Sequence, residues 1–235
     1  MSDDEVLDEV TSGAEGSTVD EMLDQFESEI KEGKRVENPK TISSECKGNI
    51  LTECMRDGLK ELERAAEETE VDYTVIGGIG TQLRGLADCG DILKIGDHFG
   101  RRQTADIDVL VYDAGDGVTL QREYSEDGHP TLDSIYNHIP GDEDVIENSE
   151  KVYFGDIDER LDFTVSVPTN EDLIYTKVWR PNLEAREGTA YDLKRYEELN
   201  GQVFDVDEVR LGKIIRERAP NQEAALDYLN KVGLG

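Results

Sequence analysis

Asp106-Ile107-Asp108 is the spacing in this chain best suited to chemistry. On a strand, residues i and i+2 point to the same face, so the backbone would hold the two carboxylates close together. Like charges so near each other are unfavourable unless a cation lies between them. Mg²⁺, a hard ion that takes carboxylate oxygens and substrate phosphates, suits such a pair. In a chain with 55 acids, two aspartates one residue apart also arise by chance. The flanking Ile107, Val109 and Val111 mark a strand and favour the functional reading. A second feature is Gly77-Gly78, at a strand-to-helix junction. Glycines there let the backbone approach a ligand, and a helix start offers N–H groups to an anion. Taken alone, a tight turn explains them as well. A third is Asp162, within Arg160–Val167. If its strand neighbours that of Asp106, three carboxylates could hold two metal ions for an in-line phosphoryl displacement. Arg84, Arg101, Arg102 and Lys177 suit triphosphate contacts, although each could equally be a salt pair on an acidic surface.

The elements that must position these residues follow from periodicity. Thr18 and Glu21 form a capping box for a short amphipathic helix over 18–32. A linker near Pro39 precedes a second helix, expected from about Ser44 to Glu68. Tyr73–Ile76 reads as a strand, Thr81–Ala87 as a helix, and Asp106–Val111 as the strongest strand. Residues 113–150 are acidic and turn-rich, with a helix expected near Leu132–His138. Lys151–Phe154 and Arg160–Val167 read as two strands. Helices are expected over Glu171–Arg180, Ala190–Leu199, Asp207–Arg218 and Asn221–Val232, the first capped by Thr169 or Asn170. This divides the chain into an acidic segment with a short helix (1–40), an α/β core (41–169) and a helical C-terminal part (170–235).

The chain has 235 residues and a formal charge of −30, with 11 Lys against 14 Arg. No apolar run approaches the roughly 18 residues of a membrane span. The acidic start, Met1-Ser2-Asp3-Asp4-Glu5, lacks the basic flank of a secretory signal. Cys46, Cys54 and Cys89 are odd in number and form no C-x-x-C pair. They argue against a disulfide framework and for a reducing, cytoplasmic setting. Cys46 and Cys54 are expected on the second helix as small apolar residues. His98, His129 and His138 have no metal-ligand spacing. Self-repulsion at this charge is screened at molar salt, and the acid excess resembles that of haloarchaeal cytosolic, halophilic proteins.

Taken in order, these residues resemble the polymerase-β-like nucleotidyltransferase superfamily. The similarity is greatest to its abortive-infection and toxin–antitoxin branch. The segments that carry it are Val75-Ile-Gly-Gly78, Arg102-Gln-Thr-Ala-Asp-Ile-Asp-Val-Leu-Val111, Leu161-Asp-Phe163 and Pro168-Thr-Asn-Glu-Asp-Leu-Ile-Tyr-Thr-Lys177, within residues 73–195. Cys89–Gly96 stands as an insertion, and Tyr191 replaces a lysine of the pattern.

The resemblance implies an α+β fold: a small mixed β-sheet nucleotidyltransferase core with an N-terminal helical preface and a helical C-terminal part. It implies transfer of a nucleoside monophosphate from an NTP donor to a hydroxyl acceptor, with Mg²⁺ as cofactor. Asp106, Asp108 and Asp162 would bind the metal, and Asp162 would also aid activation of the acceptor. Lys177 would contact phosphate. Gly77, Gly78, Arg102, Thr104 and Asp192 would complete the nucleotide site. The acceptor would be RNA such as tRNA, a protein hydroxyl or a small molecule, and a cognate antitoxin is an expected partner. Arg210–Arg218 could serve an RNA acceptor, or simply complement a helix dipole. Two rivals stand beside this reading: an inactive partner protein that keeps the fold, and a small-molecule adenylyltransferase.

Overall fold

The structure, a computed structural model, describes residues 46–100, 104–125, 127–136, 138–179 and 187–234. The helix expected over 18–32, together with Arg101 and Arg102, lies outside them. The first described helix, α1 (Glu53–Thr69), buries Met55, Leu59, Leu62 and Ala66 along one stripe. It begins at Glu53, later than expected, because the preceding chain is a turn. Asn49 accepts from Leu51 N through its side chain and from Thr52 N through its carbonyl, a local bonding pattern that competes with helix. Cys46 and Cys54 are joined by a disulfide across this turn. That corrects the expectation of a chain without one, and it takes Cys46 out of the helix. Cys89 is the free cysteine.

Strand β1 (Tyr73–Val75) is wholly buried. Helix α2 (Gly77–Cys89) starts at the first glycine of the pair, earlier than Thr81. The insertion folds as helix α3 (Ile92–Phe99), capped by Asp91, whose side chain accepts from Leu93 N and Lys94 N. Strand β2 (Asp106–Val111) follows, then helix α4 (Ala114–Glu123) and strand β3 (Thr131–Ile135).

Strand β3 overturns the helix expected at Leu132–His138. Leu132 is buried while Thr131 and Asp133 are half-buried, a two-residue period. Pairing with β2 therefore prevails over local propensity. Strand β2 runs antiparallel to β1 and parallel to β3, in the order β1-β2-β3. Helix α4 supplies the crossover that a parallel pair requires. Helix α5 (Asp142–Glu147), strand β4 (Glu150–Tyr153), a 3-10 turn (Phe154–Asp156) and strand β5 (Thr164–Val167) come next. Strands β4 and β5 form a separate antiparallel pair. Strand β5 packs beside β1, where Thr74 Oγ1 donates to the Ser166 carbonyl at 3.2 Å.

Helix α6 (Asn170–Val178) is capped by Thr169, as expected, through Asp172 N. Helices α7 (Glu187–Leu199), α8 (Glu208–Arg218) and α9 (Gln222–Lys231) complete the described chain. Helix α6 packs on both α2 and α8, and residues 42–235 form one compact unit. The result is an α+β arrangement of helices around a small mixed sheet. Among the described residues, no helix is long and apolar enough to cross a membrane.

Candidate active site

The site forms where β1 ends, β2 begins and α2 starts. Gly77 has φ +68°, a left-handed conformation that glycine adopts freely. A Cβ at Gly77 would collide with Asp108 Oδ2 and stand 2.9 Å from its Cγ. The side chain missing from Gly77 is therefore the space in which the Asp108 carboxylate lies. Ile76 N donates to the Asp108 carbonyl at 2.9 Å, which fixes the two strands side by side at this point. Ile76 gives α2 no side-chain cap. The first N–H groups of a helix have no partner within it, so this turn is suited to an anion.

Asp106 and Asp108 are half-buried, and Ile107 between them is fully buried. They share one face of β2, as their spacing requires. Thr104 Oγ1 donates to Asp106 Oδ1. Across the parallel ladder, Asp133 of β3 stands in register with Asp108, and Thr131 with Asp106. In-register residues of neighbouring strands share a face, so Asp133 is the third carboxylate position on this side of the sheet. Sequence reasoning missed it by reading the segment as a helix. The signal that could have found it is the alternation Thr131-Leu132-Asp133 after a crossover-length helix.

Lys177 and Asp192 also meet here. Lys177 Nζ lies 2.8 Å from Asp192 Oδ2 and donates to the Gly77 carbonyl at 3.1 Å. Their side chains are only 6% and 2% exposed. The pair therefore holds the turn from beneath. Lys177, expected to contact phosphate, is bound here to the Gly77 carbonyl and to Asp192. Thr81 Oγ1 donates to the same Gly77 carbonyl at 3.0 Å, and Gln82 Nε2 to the Gly78 carbonyl at 3.3 Å.

Asp162 does not join them. It lies outside any strand, exposed, before β5, and its Oδ1 accepts from Tyr153 Oη at 2.9 Å. The neighbours of β2 are β1 and β3, so the expected adjacency of the Asp162 strand to β2 is overturned. The reason is topological: β5 pairs with β4 in a separate sheet and packs beside β1 rather than β2. Arg84 is engaged elsewhere, with Asp88 and Glu150. The basic stretch on α8 is partly consumed inside the fold. Arg218 pairs with Asp172 and Asp144, each at 3.1 Å, and Arg210 lies 3.7 Å from both Glu171 and Asp172. Burial pushes the Asp172 carboxyl above its ordinary value, while Thr169, Arg218 and Arg210 pull it back.

The donor set on β2 and β3 consists of hard carboxylate oxygens, which fits Mg²⁺. Among the described residues, no three His, Cys, Asp or Glu side chains are gathered as a ready metal cluster. A cleft of about 360 Å³ lies elsewhere, beside the start of β1, and its walls include Glu63, Glu67, Glu70, Asp72 and Lys151. Those acids would repel a polyphosphate, and none of the residues singled out from the sequence lines it. No family model, no curated protein and no solved structure matches this chain.

Proposed function

We propose that the chain is a nucleotidyltransferase that moves a nucleoside monophosphate from an NTP to a hydroxyl acceptor. The observation that carries this reading is the seat of the Asp108 carboxylate against Gly77, at the uncapped start of α2. It unites the diglycine turn and the D-x-D strand in one place. In this reading the turn amides bind the triphosphate, and Asp106 and Asp108 hold Mg²⁺. When bound, the ion supplies charge neutralisation at the phosphates. The acceptor oxygen forms a bond to the α-phosphorus while the bond from that phosphorus to the bridging oxygen breaks, releasing pyrophosphate. The acceptor proton passes to a carboxylate, and Asp133 takes this role in place of Asp162. Lys177 is a positioning residue that holds the Gly77 carbonyl, Asp192 holds Lys177, and Thr104 orients Asp106.

A second reading is favoured by one observation, the displacement of Asp162 onto Tyr153. In it the same turn binds a nucleotide without transfer, as in a non-catalytic partner protein. One experiment separates the two: α-labelled NTPs, Mg²⁺ and total cell extract, incubated at high salt. The transferase reading expects label on an acceptor and release of pyrophosphate, with loss of both in Asp108→Asn. It is overturned by nucleotide binding with no pyrophosphate. The labelled product also identifies the acceptor as RNA, protein or small molecule.

A further inference from the structure

We propose that the Cys46–Cys54 disulfide is a redox clasp on this site. The bridge closes a turn whose backbone is tied to both sides of the site. Gly48 and Thr104 exchange backbone hydrogen bonds, Gly48 N to Thr104 O at 2.9 Å and Thr104 N to Gly48 O at 2.8 Å. Thr104 in turn donates to Asp106. Asn49 Nδ2 donates to the Gly100 carbonyl at 3.0 Å, so the turn grips both ends of the segment that leads into β2. Ile50 N donates to Gln82 Oε1 at 3.2 Å, and Gln82 reaches the Gly78 carbonyl. The turn therefore bridges the first metal-side aspartate and the diglycine turn. A cross-link restricts the freedom of the loop that it closes. Cys46 is 5% exposed and Cys54 is half-buried, so attack falls on Cys54 Sγ.

The reductant is a dithiol. Its thiolate bonds to Cys54 Sγ, the Cys46–Cys54 bond breaks, and Cys46 leaves as a thiolate that takes a proton. The second thiol of the reductant, as thiolate, then attacks its own sulfur in the mixed disulfide. Cys54 is released to take a proton, and the reductant ends as its cyclic disulfide. Two electrons pass to the protein. In a reducing compartment, bridges of this kind act as switches rather than staples.

As regulation of transfer the inference rests on the proposed function; as a clasp it is tested without it. Amide hydrogen exchange is compared on the full chain with and without a dithiol. Reduction is expected to speed exchange at Gly48 and Thr104 at least about tenfold while Val109 and Leu110 keep their protection. Transfer should fall by about tenfold in parallel. The double variant Cys46→Ser/Cys54→Ser should behave as reduced protein in either condition, and Cys89→Ser should keep the response. If the double variant does not fold, the wild-type comparison decides alone. Exchange at Gly48 and Thr104 that is unchanged by the dithiol overturns the clasp, whatever the activity. Faster exchange with constant transfer overturns its regulatory role. Faster exchange with no transfer in either state supports the clasp and sinks the transferase reading.

Discussion

Asp133 and Asp162 are the two candidates for the third carboxylate of the proposed transfer, and their surroundings differ. Asp133 is in register with Asp108 on the neighbouring strand. Asp162 is exposed and held by a tyrosine. A charge that stabilises a transferring phosphoryl group is worth several kcal/mol, so Asp108→Asn and Asp133→Asn should each lower labelled transfer at least about 100-fold. Asp162→Asn should stay within about threefold, since an exposed hydrogen bond of this kind contributes little. A large loss in Asp162→Asn with none in Asp133→Asn would return the third-carboxylate role to Asp162. Asp162 does have a structural signature. Its hydrogen bond and negative charge raise the Tyr153 phenol above its ordinary value. Removing the charge in Asp162→Asn should let Tyr153 ionise at lower pH, read by ultraviolet titration. Nearby, the Arg160 guanidinium and backbone N–H hold the Asp158 carboxyl down to about 2. The folded form therefore favours the ionised carboxylate relative to the unfolded chain, where the value is about 3.9. That contribution is complete above the unfolded value and is lost as pH falls toward 2. A carboxyl titration by NMR should find Asp158 near 2 in the wild type and higher in Arg160→Ala, though still below the ordinary aspartate value because the backbone N–H remains.

At the scale of elements, the site depends on a helix from one end of the chain reaching a turn at the other. Helix α6 delivers Lys177 and helix α7 delivers Asp192, and the pair closes under Gly77. With both side chains almost fully buried, loss of one partner leaves an uncompensated charge, which costs about 3–5 kcal/mol. Asp192→Ala should lower the midpoint of thermal unfolding by roughly 10 °C, and Lys177→Met/Asp192→Leu together should recover much of it. A single variant with an unshifted midpoint would mean the pair does not hold the turn.

These contacts also show what the sequence could reveal. The Asp106–Val111 strand, the start of α6 at its Thr169 cap and the helices after it were legible, because period and capping are local signals. The diglycine turn was legible as a place but not as a contact, since only pairing of β1 with β2 sets Asp108 against Gly77. Strand β3 was hidden because Thr131–Ile135 is too short for its period to outweigh the acidic, turn-rich surroundings. The Cys46–Cys54 bridge was hidden because the residues between the cysteines bend around Asn49, a bend that an apolar stripe conceals. The arginines of α8 looked free because their partners, Asp172 and Asp144, are remote in sequence.

For the molecule as a whole, charge sets the conditions under which any of this operates. The acids number 55 and the bases 25, so even complete pairing would leave a large unpaired excess of acids. Some of the described pairs are exposed on both sides, as with Arg64 and Glu68, Arg64 and Glu123, or Lys213 and Glu217, and such pairs contribute little. Screening therefore removes more repulsion than attraction. The Debye length falls from about 10 Å at 0.1 M salt to about 3 Å at 1 M. The same field would act on an NTP bound as proposed. A triphosphate approaching a body of charge −30 is repelled at low salt, and in the proposed reading the turn amides and the bound Mg²⁺ would have to overcome that field. Salt normally weakens the binding of polyanions by screening attraction. Here the sign should reverse. The apparent affinity for NTP should rise as KCl increases from about 0.1 M to about 1 M, and the unfolding midpoint should rise with it. Chloride is the appropriate salt, because sulfate also strengthens apolar burial and would confuse the two effects. Calorimetric binding of NTP with Mg²⁺ across that range measures the first trend, and thermal unfolding the second. If affinity falls with salt while the midpoint rises, attraction at the turn and its ion dominates binding, and the whole-molecule field governs stability alone.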